Sequence, residues 1–207
     1  MFATFYAFLG RLAERGPMVD RRRALLSNAV GVTVEVGAGT GLNARHYPRS
    51  VSKVTATEPD RYMLRRLRRA VADARVPILV ERAPAEAIPL EDSSADSVVS
   101  TLVLCSVPDQ AEALGEIMRV LKPGGRLLFL EHVRSPNPRL ARWQDRIERP
   151  WTWCAGGCHP NRDTESAIRT AGFEVADIER FDLPAPPIVR PHVRGVATKP
   201  EPDRDRG

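Results

Sequence analysis

The sequence predicts an α/β protein with a doubly wound, mainly parallel sheet and helices on both faces. Three observations predict it: a valine-rich strand running into a glycine loop, an acid about twenty residues further on, and alternating strand-like and helix-like segments. Residues 32–41 read Val-Thr-Val-Glu-Val-Gly-Ala-Gly-Thr-Gly, with Gly37, Gly39 and Gly41 spaced G-x-G-x-G. A short apolar run suits a strand buried on both faces, and glycines let the chain turn sharply and let a ligand approach bare backbone. A second apolar segment, 51–57, ends in Glu58, where a carboxylate can accept hydrogen bonds from ribose hydroxyls.

Two amino-terminal helices are predicted, over 2–14 and 18–29. Phe2, Phe5, Tyr6, Phe8, Leu9 and Leu12 give the first an apolar face too short to cross a bilayer. A lid over a ligand cleft, with Tyr6 toward the ligand, is favoured over peripheral membrane contact. Strand 32–36, helix 40–47 and strand 53–58 follow. In the helix predicted over 61–74, Leu64, Leu67 and Val71 form the buried stripe and Arg61, Arg65, Arg66, Arg68 and Arg69 the solvated face. Strands 78–81 and 96–102 lead to a helix over 110–121, whose apolar period is Leu114, Ile117, Met118 and Leu121; Lys122-Pro123-Gly124-Gly125 ends it with a breaker and a turn. Strand 126–132, an irregular helical insert around 138–153, a helix over 163–171 and strands near 173–181 and 192–197 complete the order. The expected organisation is an amino-terminal helical lid (1–30), one ligand-binding domain (31–197) and a disordered tail (198–207) rich in Pro, Asp and Arg.

At 207 residues and 43% hydrophobic content the chain has the size and composition of one globular domain. Its net charge of +5 comes mostly from arginine, but no interleaved aromatic pattern or RNA-binding signature accompanies it, so nucleic acid is not expected as a partner. Three cysteines, Cys105, Cys154 and Cys158, are an odd number without a signal peptide, which points to a reducing cytoplasm. Cys154-x-x-x-Cys158-His159 lacks the second ligand pair that a structural zinc site needs, so no metal is expected.

The glycine loop separates two cofactor classes. A dinucleotide fingerprint wants a sixth-position glycine, and Leu42 stands there. Glu35 two residues before Gly37, with the compact G-x-G-x-G, resembles motif I of the class I S-adenosylmethionine-dependent methyltransferases. Ala83-Pro84-Ala85-Glu86-Ala87-Ile88-Pro89-Leu90 is similar to the segment that meets the adenine ring in that superfamily, with Pro84 where relatives often carry Asp or Asn, so a backbone contact is the safer inference. Residues 97–106 and Val120-Leu121-Lys122-Pro123-Gly124-Gly125-Arg126-Leu127 match its fourth strand and its turn into the fifth. Thr101-Leu102-Val103-Leu104-Cys105-Ser106-Val107, Leu130-Glu131-His132-Val133 and Gly156-Gly157-Cys158-His159 followed by Arg162-Asp163-Thr164 resemble the methyltransferase-like group that includes the mammalian membrane-associated alkyl-thiol S-methyltransferases.

The resemblance implies a Rossmann-like sheet of seven strands with the last antiparallel, and S-adenosyl-L-methionine as cofactor. It implies cofactor contacts at Glu35, Gly37, Ala38, Gly39, Gly41, Glu58, Pro59, Ala85, Glu86, Leu104 and Cys105. The acceptor is a small molecule: a thiol first, then a quinone-like carbon, then an amine or phospholipid nitrogen. Methyl transfer needs alignment in a desolvated cleft more than a base. For a thiol the task is to favour thiolate, and His132, His159 and Arg162 are the candidate catalytic residues. For His132 a wall role weighs equally with an acid-base role, and for the other two an ordered loop contact is the stronger reading. An NAD-dependent oxidoreductase is the runner-up, opposed by Leu42 and by the lack of a Tyr-x-x-x-Lys pair; a cofactor-binding protein without catalysis is the third class. Oligomeric state is not readable from the sequence.

Overall fold

The computed structural model describes residues 17–202. A seven-stranded sheet organises them: β1 (Gly31–Val36), β2 (Val51–Thr57), β3 (Ile78–Glu81), β4 (Ala95–Thr101), β5 (Leu121–His132), β6 (Glu174–Asp182) and β7 (Pro191–Thr198). Five helices accompany it: α1 (Pro17–Leu26), α2 (Arg61–Ala70), α3 (Gln110–Val120), α4 (Pro138–Cys154) and α5 (Thr164–Thr170). The strand order is β3-β2-β1-β4-β5-β7-β6. β7 runs antiparallel to both β5 and β6, and the other pairings are parallel. The doubly wound fold with an antiparallel last strand is therefore present.

Strand pleating explains the two layers, because consecutive side chains point to opposite faces. In β5, Leu127 and Phe129 join a core with Ala113, Leu114 and Ile117 of α3 and Ile168 of α5. Leu128 and Leu130 face the other way and pack with Leu25 and Leu26 of α1 and Leu64 and Leu67 of α2. All four β5 side chains are fully buried; truncating Phe129 to Ala would cost about 3–5 kcal/mol. The helix starts are fixed by side-chain caps. Asp60 accepts from the amides of Tyr62 and Met63, Asp109 from those of Ala111 and Glu112, and Asn137 from those of Arg139 and Leu140; each such cap contributes about 1 kcal/mol.

Several sequence expectations are corrected. The helix expected over 40–47 is a turn with one 3-10 segment, Ala44–His46, because Asn43 spends its side chain on Glu35 and Thr101 and Pro48 closes the segment. The helix expected to reach residue 74 changes to a 3-10 turn at Val71–Asp73. Lys122–Gly125 is not only a turn: it opens β5 with a register shift, and the Gly124 amide donates to Lys199 O while the Lys199 amide donates to Gly125 O. Thr198 and Lys199, expected in the tail, belong to the fold; Lys199 Nζ also donates to the carbonyls of Met118 and Leu121. The insert around 138–153 is a continuous 17-residue helix, with Pro150 inside it. The boundary at residue 30 also moves, since Met18, Leu25 and Leu26 of α1 are core residues. The helix expected over 2–14, with Tyr6, lies outside the described residues, as do residues 203–207.

Candidate active site

The carboxyl ends of β1, β2, β4 and β5 meet at one rim. The glycine loop leaves β1 with Gly37, Gly39 and Gly41 all at positive φ. Their environments differ. A Cβ on Gly37 would strike Val103 at 2.6 Å, and one on Gly41 would strike Ala70 of α2 at 2.7 Å, so these two glycines allow loop and helix to pack. A Cβ on Gly39 would meet only Gly37 O, at 3.9 Å. The open face of the loop is therefore at Gly39.

Glu58 braces that loop. Its Oε2 accepts from the Gly39 amide at 2.8 Å and its Oε1 from the Asp60 amide at 2.9 Å. A carboxylate offers about four acceptor sites, so two remain beside the open loop. Burial raises the Glu58 carboxyl, opposed by the Asp60 and Gly39 amides. Pro59 is exposed beside it, and Ala38 is tied to β2 by its amide to Thr57 O.

Glu35 lies beneath the loop and is buried. Asn43 Nδ2 donates to its Oε1 at 2.9 Å and Tyr47 Oη to its Oε2 at 2.6 Å, while Arg22 Nη1 donates to Asn43 Oδ1 at 2.7 Å. Burial pushes the Glu35 carboxyl up to about 7 despite these donors. Its described partners are the chain itself. On the third wall, Ala85 is buried in the core, and Glu86 accepts from the Asp109 amide at 3.3 Å, tying the 83–90 segment to α3. Leu104 is also a core side chain, so at Ala85 and Leu104 a ligand would meet backbone.

Across the sheet, Glu131 belongs to the Leu130–Val133 stretch of the sequence resemblance, which assigns it no role. It is fully buried and accepts from Ser100 Oγ at 2.7 Å, the Val103 amide at 3.1 Å and the Cys105 amide at 3.2 Å. It thereby shapes the loop after β4, whose first residue, Leu102, sits at φ 60. A left-handed conformation at a leucine costs about 1–3 kcal/mol and marks a loop held by its surroundings. A carboxylate ending the apolar run Leu127–Leu130 was the available signal.

His132 follows directly. Its Nε2 lies 2.9 Å from Ile188 O, and its Nδ1 lies 3.3 Å from Cys158 Sγ. Since a carbonyl can only accept, Nε2 carries a proton, and Nδ1 is the nitrogen left to exchange one with the thiol. His159 pairs instead with Glu148 of α4, Nδ1 to Oε1 2.7 Å, and its amide donates to Cys105 O. Arg162 Nη1 donates to the carbonyls of Leu104, 2.9 Å, and Val107, 2.7 Å. Both residues therefore tie the loop after β4 to the segment beyond α4. A separate surface depression lined by Val30, Asp96 and residues 122–126 lies at the amino ends of β1 and β4, away from this rim.

The comparisons with known proteins agree with this geometry. The methyltransferase domain family matches residues 34–129. A thiol S-methyltransferase of Homo sapiens is 37% identical over 196 residues, covering 88% of this chain and 80% of its own. A ubiquinone/menaquinone biosynthesis C-methyltransferase of Geobacter sulfurreducens is 36% identical over 147 residues, covering 65% of this chain and 56% of its own. The solved structure of an S-adenosylmethionine-dependent methyltransferase from Mesorhizobium loti superposes with a TM-score of 0.66 at 23% identity, over 89% of this chain and 99% of that one.

Proposed function

The chain belongs to the S-adenosylmethionine-dependent methyltransferases, and we propose that within that family it methylates a small thiol. The observation that carries the reading is one rim with an open glycine face at Gly39 beside Glu58 and, beyond the loop after β4, an imidazole in contact with a sulfur atom. The likeness to thiol S-methyltransferases over most of both chains supports the acceptor class.

The residues present fit the cofactor. Gly39 leaves its approach open, Glu58 retains two acceptor sites for ribose hydroxyls, and the backbone at Ala85–Glu86 can flank the base. Bound there, S-adenosylmethionine supplies an electrophilic methyl group on a sulfonium. The chain then has to hold the acceptor in line with it, exclude water and favour the sulfur anion. Glu131 and Arg162 fix the loop that borders the transfer site, and neither has to touch the acceptor. His132 has both nitrogens engaged, so a direct part for it requires the acceptor sulfur to take the place of Cys158 Sγ at Nδ1. A reducing cytoplasmic setting belongs to the same proposal.

The test is a turnover screen of the full chain with S-adenosylmethionine and small thiols, a demethylated quinol or an amine. Thiols should be methylated. His132→Ala should lower thiol turnover more than cofactor affinity, with a deficit that shrinks as pH rises through about 8.5, where solvent already supplies thiolate. Turnover of the quinol alone, which the Geobacter sulfurreducens relative makes the second reading, would overturn the thiol assignment.

A further inference from the structure

Cys158 meets His132, and Cys105 lies in a segment that touches that of Cys158 although the two cysteines are far apart in the sequence. Cys105 lies in the loop after β4 and is buried; Cys158 lies in the turn beyond α4 and is half-buried. The segments that carry them are in direct contact. The contact is built on backbone: the His159 amide donates to Cys105 O at 2.8 Å, and a Cβ on Gly157 would come within 2.9 Å of Ser106 O, so glycine lets the two segments touch.

We propose that Cys158 is a peroxide-reactive thiolate and that Cys105 resolves its oxidised form as an intramolecular disulfide, joining the loop after β4 to the turn beyond α4. His132 provides the base. With Nε2 held by Ile188 O, its Nδ1 faces Cys158 Sγ at 3.3 Å and takes the thiol proton, leaving an imidazolium beside a thiolate. The Arg162 guanidinium, held on the carbonyls of Leu104 and Val107, brings a positive charge to the loop that carries Cys105. The Cys105 amide donates to Glu131; the neighbouring Cys105 thiol and the His132 contact lower the Cys158 thiol, while the neighbouring Cys158 and burial raise that of Cys105. The pair is therefore divided into an attacking sulfur and a resolving one.

The chemistry balances with hydrogen peroxide as oxidant. The Cys158 thiolate attacks one peroxide oxygen, the O–O bond breaks, the sulfenic acid forms, and the departing hydroxide collects a proton to become water. The Cys105 sulfur, losing its proton as it attacks, then displaces the hydroxyl from Cys158, forming the S–S bond and a second water. Two electrons pass from the two sulfurs to the peroxide. The bridge would clamp the loop that Glu131 and Arg162 already hold, so methyl transfer would fall on oxidation and return on reduction.

The test does not depend on the acceptor. The wild-type chain is titrated with hydrogen peroxide and read by intact mass and peptide mapping. A Cys105–Cys158 bridge, seen as the loss of two hydrogens and reversed by dithiothreitol, should form at least roughly tenfold faster than oxidation at exposed Cys154. Cys105→Ser should stop at a dimedone-trappable sulfenic acid on Cys158, Cys158→Ser should abolish the bridge, and Cys154→Ser should change nothing. Faster reaction at Cys154, a bridge that includes Cys154, or direct over-oxidation of Cys158 without a bridge would overturn the proposal. Should no thiol be methylated, these outcomes still decide it.

Discussion

Glu58 and Glu131 lie at the carboxyl ends of β2 and β5 and perform the same mechanical task on different loops, yet they are used differently. Glu58 accepts two backbone amides, of Gly39 and Asp60, and keeps acceptor capacity beside the open loop. Glu131 accepts Ser100 Oγ and the amides of Val103 and Cys105 and has no exposed surface. The first braces a loop and still offers itself to a ligand; the second is consumed by bracing. A carboxylate at a strand end of this sheet can thus keep acceptor capacity at the rim or spend it on the chain.

The largest expected effect is at the consumed carboxylate. Glu131→Ala strands two buried amides and a hydroxyl at about 1–3 kcal/mol each, so the urea midpoint should fall by an amount equal to about 3 kcal/mol or more. Glu131→Gln, which keeps one acceptor oxygen, should recover part of that loss. An Ala variant as stable as wild type would show that the loop after β4 does not need its brace.

Next is Gly39→Val. The open space around Gly39 means the fold should survive, at a cost of about 1–3 kcal/mol for a branched residue near φ 57. The side chain would fill the approach to the loop, and S-adenosylmethionine affinity should fall at least about a hundredfold, roughly 2.7 kcal/mol. Calorimetric titration reads it. Retained tight binding would move the cofactor away from Gly39.

Glu58→Ala should weaken cofactor binding by roughly 1–3 kcal/mol, through the lost ribose acceptor and a loosened Gly39 amide. Glu58→Gln keeps one oxygen and separates these contributions: if bracing dominates, it should retain most of the affinity. An unchanged affinity in a folded Ala variant would remove Glu58 from the ribose.

The two halves of the site also differ in how far the sequence revealed them. The glycine loop and Glu58 are a backbone motif closed over 19 residues, and their spacing alone carries the geometry. The helix expected after the loop failed because Asn43 has a buried carboxylate to bond, which no periodicity shows. Around His132 the contacts span 56 residues to Ile188, 58 from Arg162 to Leu104 and 26 to Cys158. Those partners are set by where β5, β7 and α4 pack, so the sequence offered the residue types and not their roles. Leu102 at φ 60 carries no local signal, since leucine is a residue that avoids that region.

The smallest effect tests a third carboxylate, Glu35, which resembles a cofactor contact in sequence but is satisfied by Asn43 and Tyr47 in the structure. Burial lifts its carboxyl from 4.5 to about 7. Between those values the folded chain keeps a proton that the unfolded chain has released, so this group's contribution to stability is full below pH 4.5 and is lost as pH rises through about 7. The shift sets a ceiling of about 3 kcal/mol, and relaxation of the network should leave about 1–2 kcal/mol. Glu35→Gln keeps an acceptor for Asn43 and a donor for Tyr47 Oη without the titration, so relative to wild type it should gain that amount between pH 5 and pH 8 in urea unfolding. His192, whose burial lowers it to about 4, contributes a slope of the opposite sign up to about pH 6.5. Because both proteins carry it, the difference between variant and wild type isolates Glu35. The same variant sharpens the comparison of carboxylates: affinity for S-adenosylmethionine within about threefold of wild type, less than 1 kcal/mol, would class Glu35 with Glu131 as a brace, whereas a loss as large as that of Glu58→Ala would place it in contact with the cofactor.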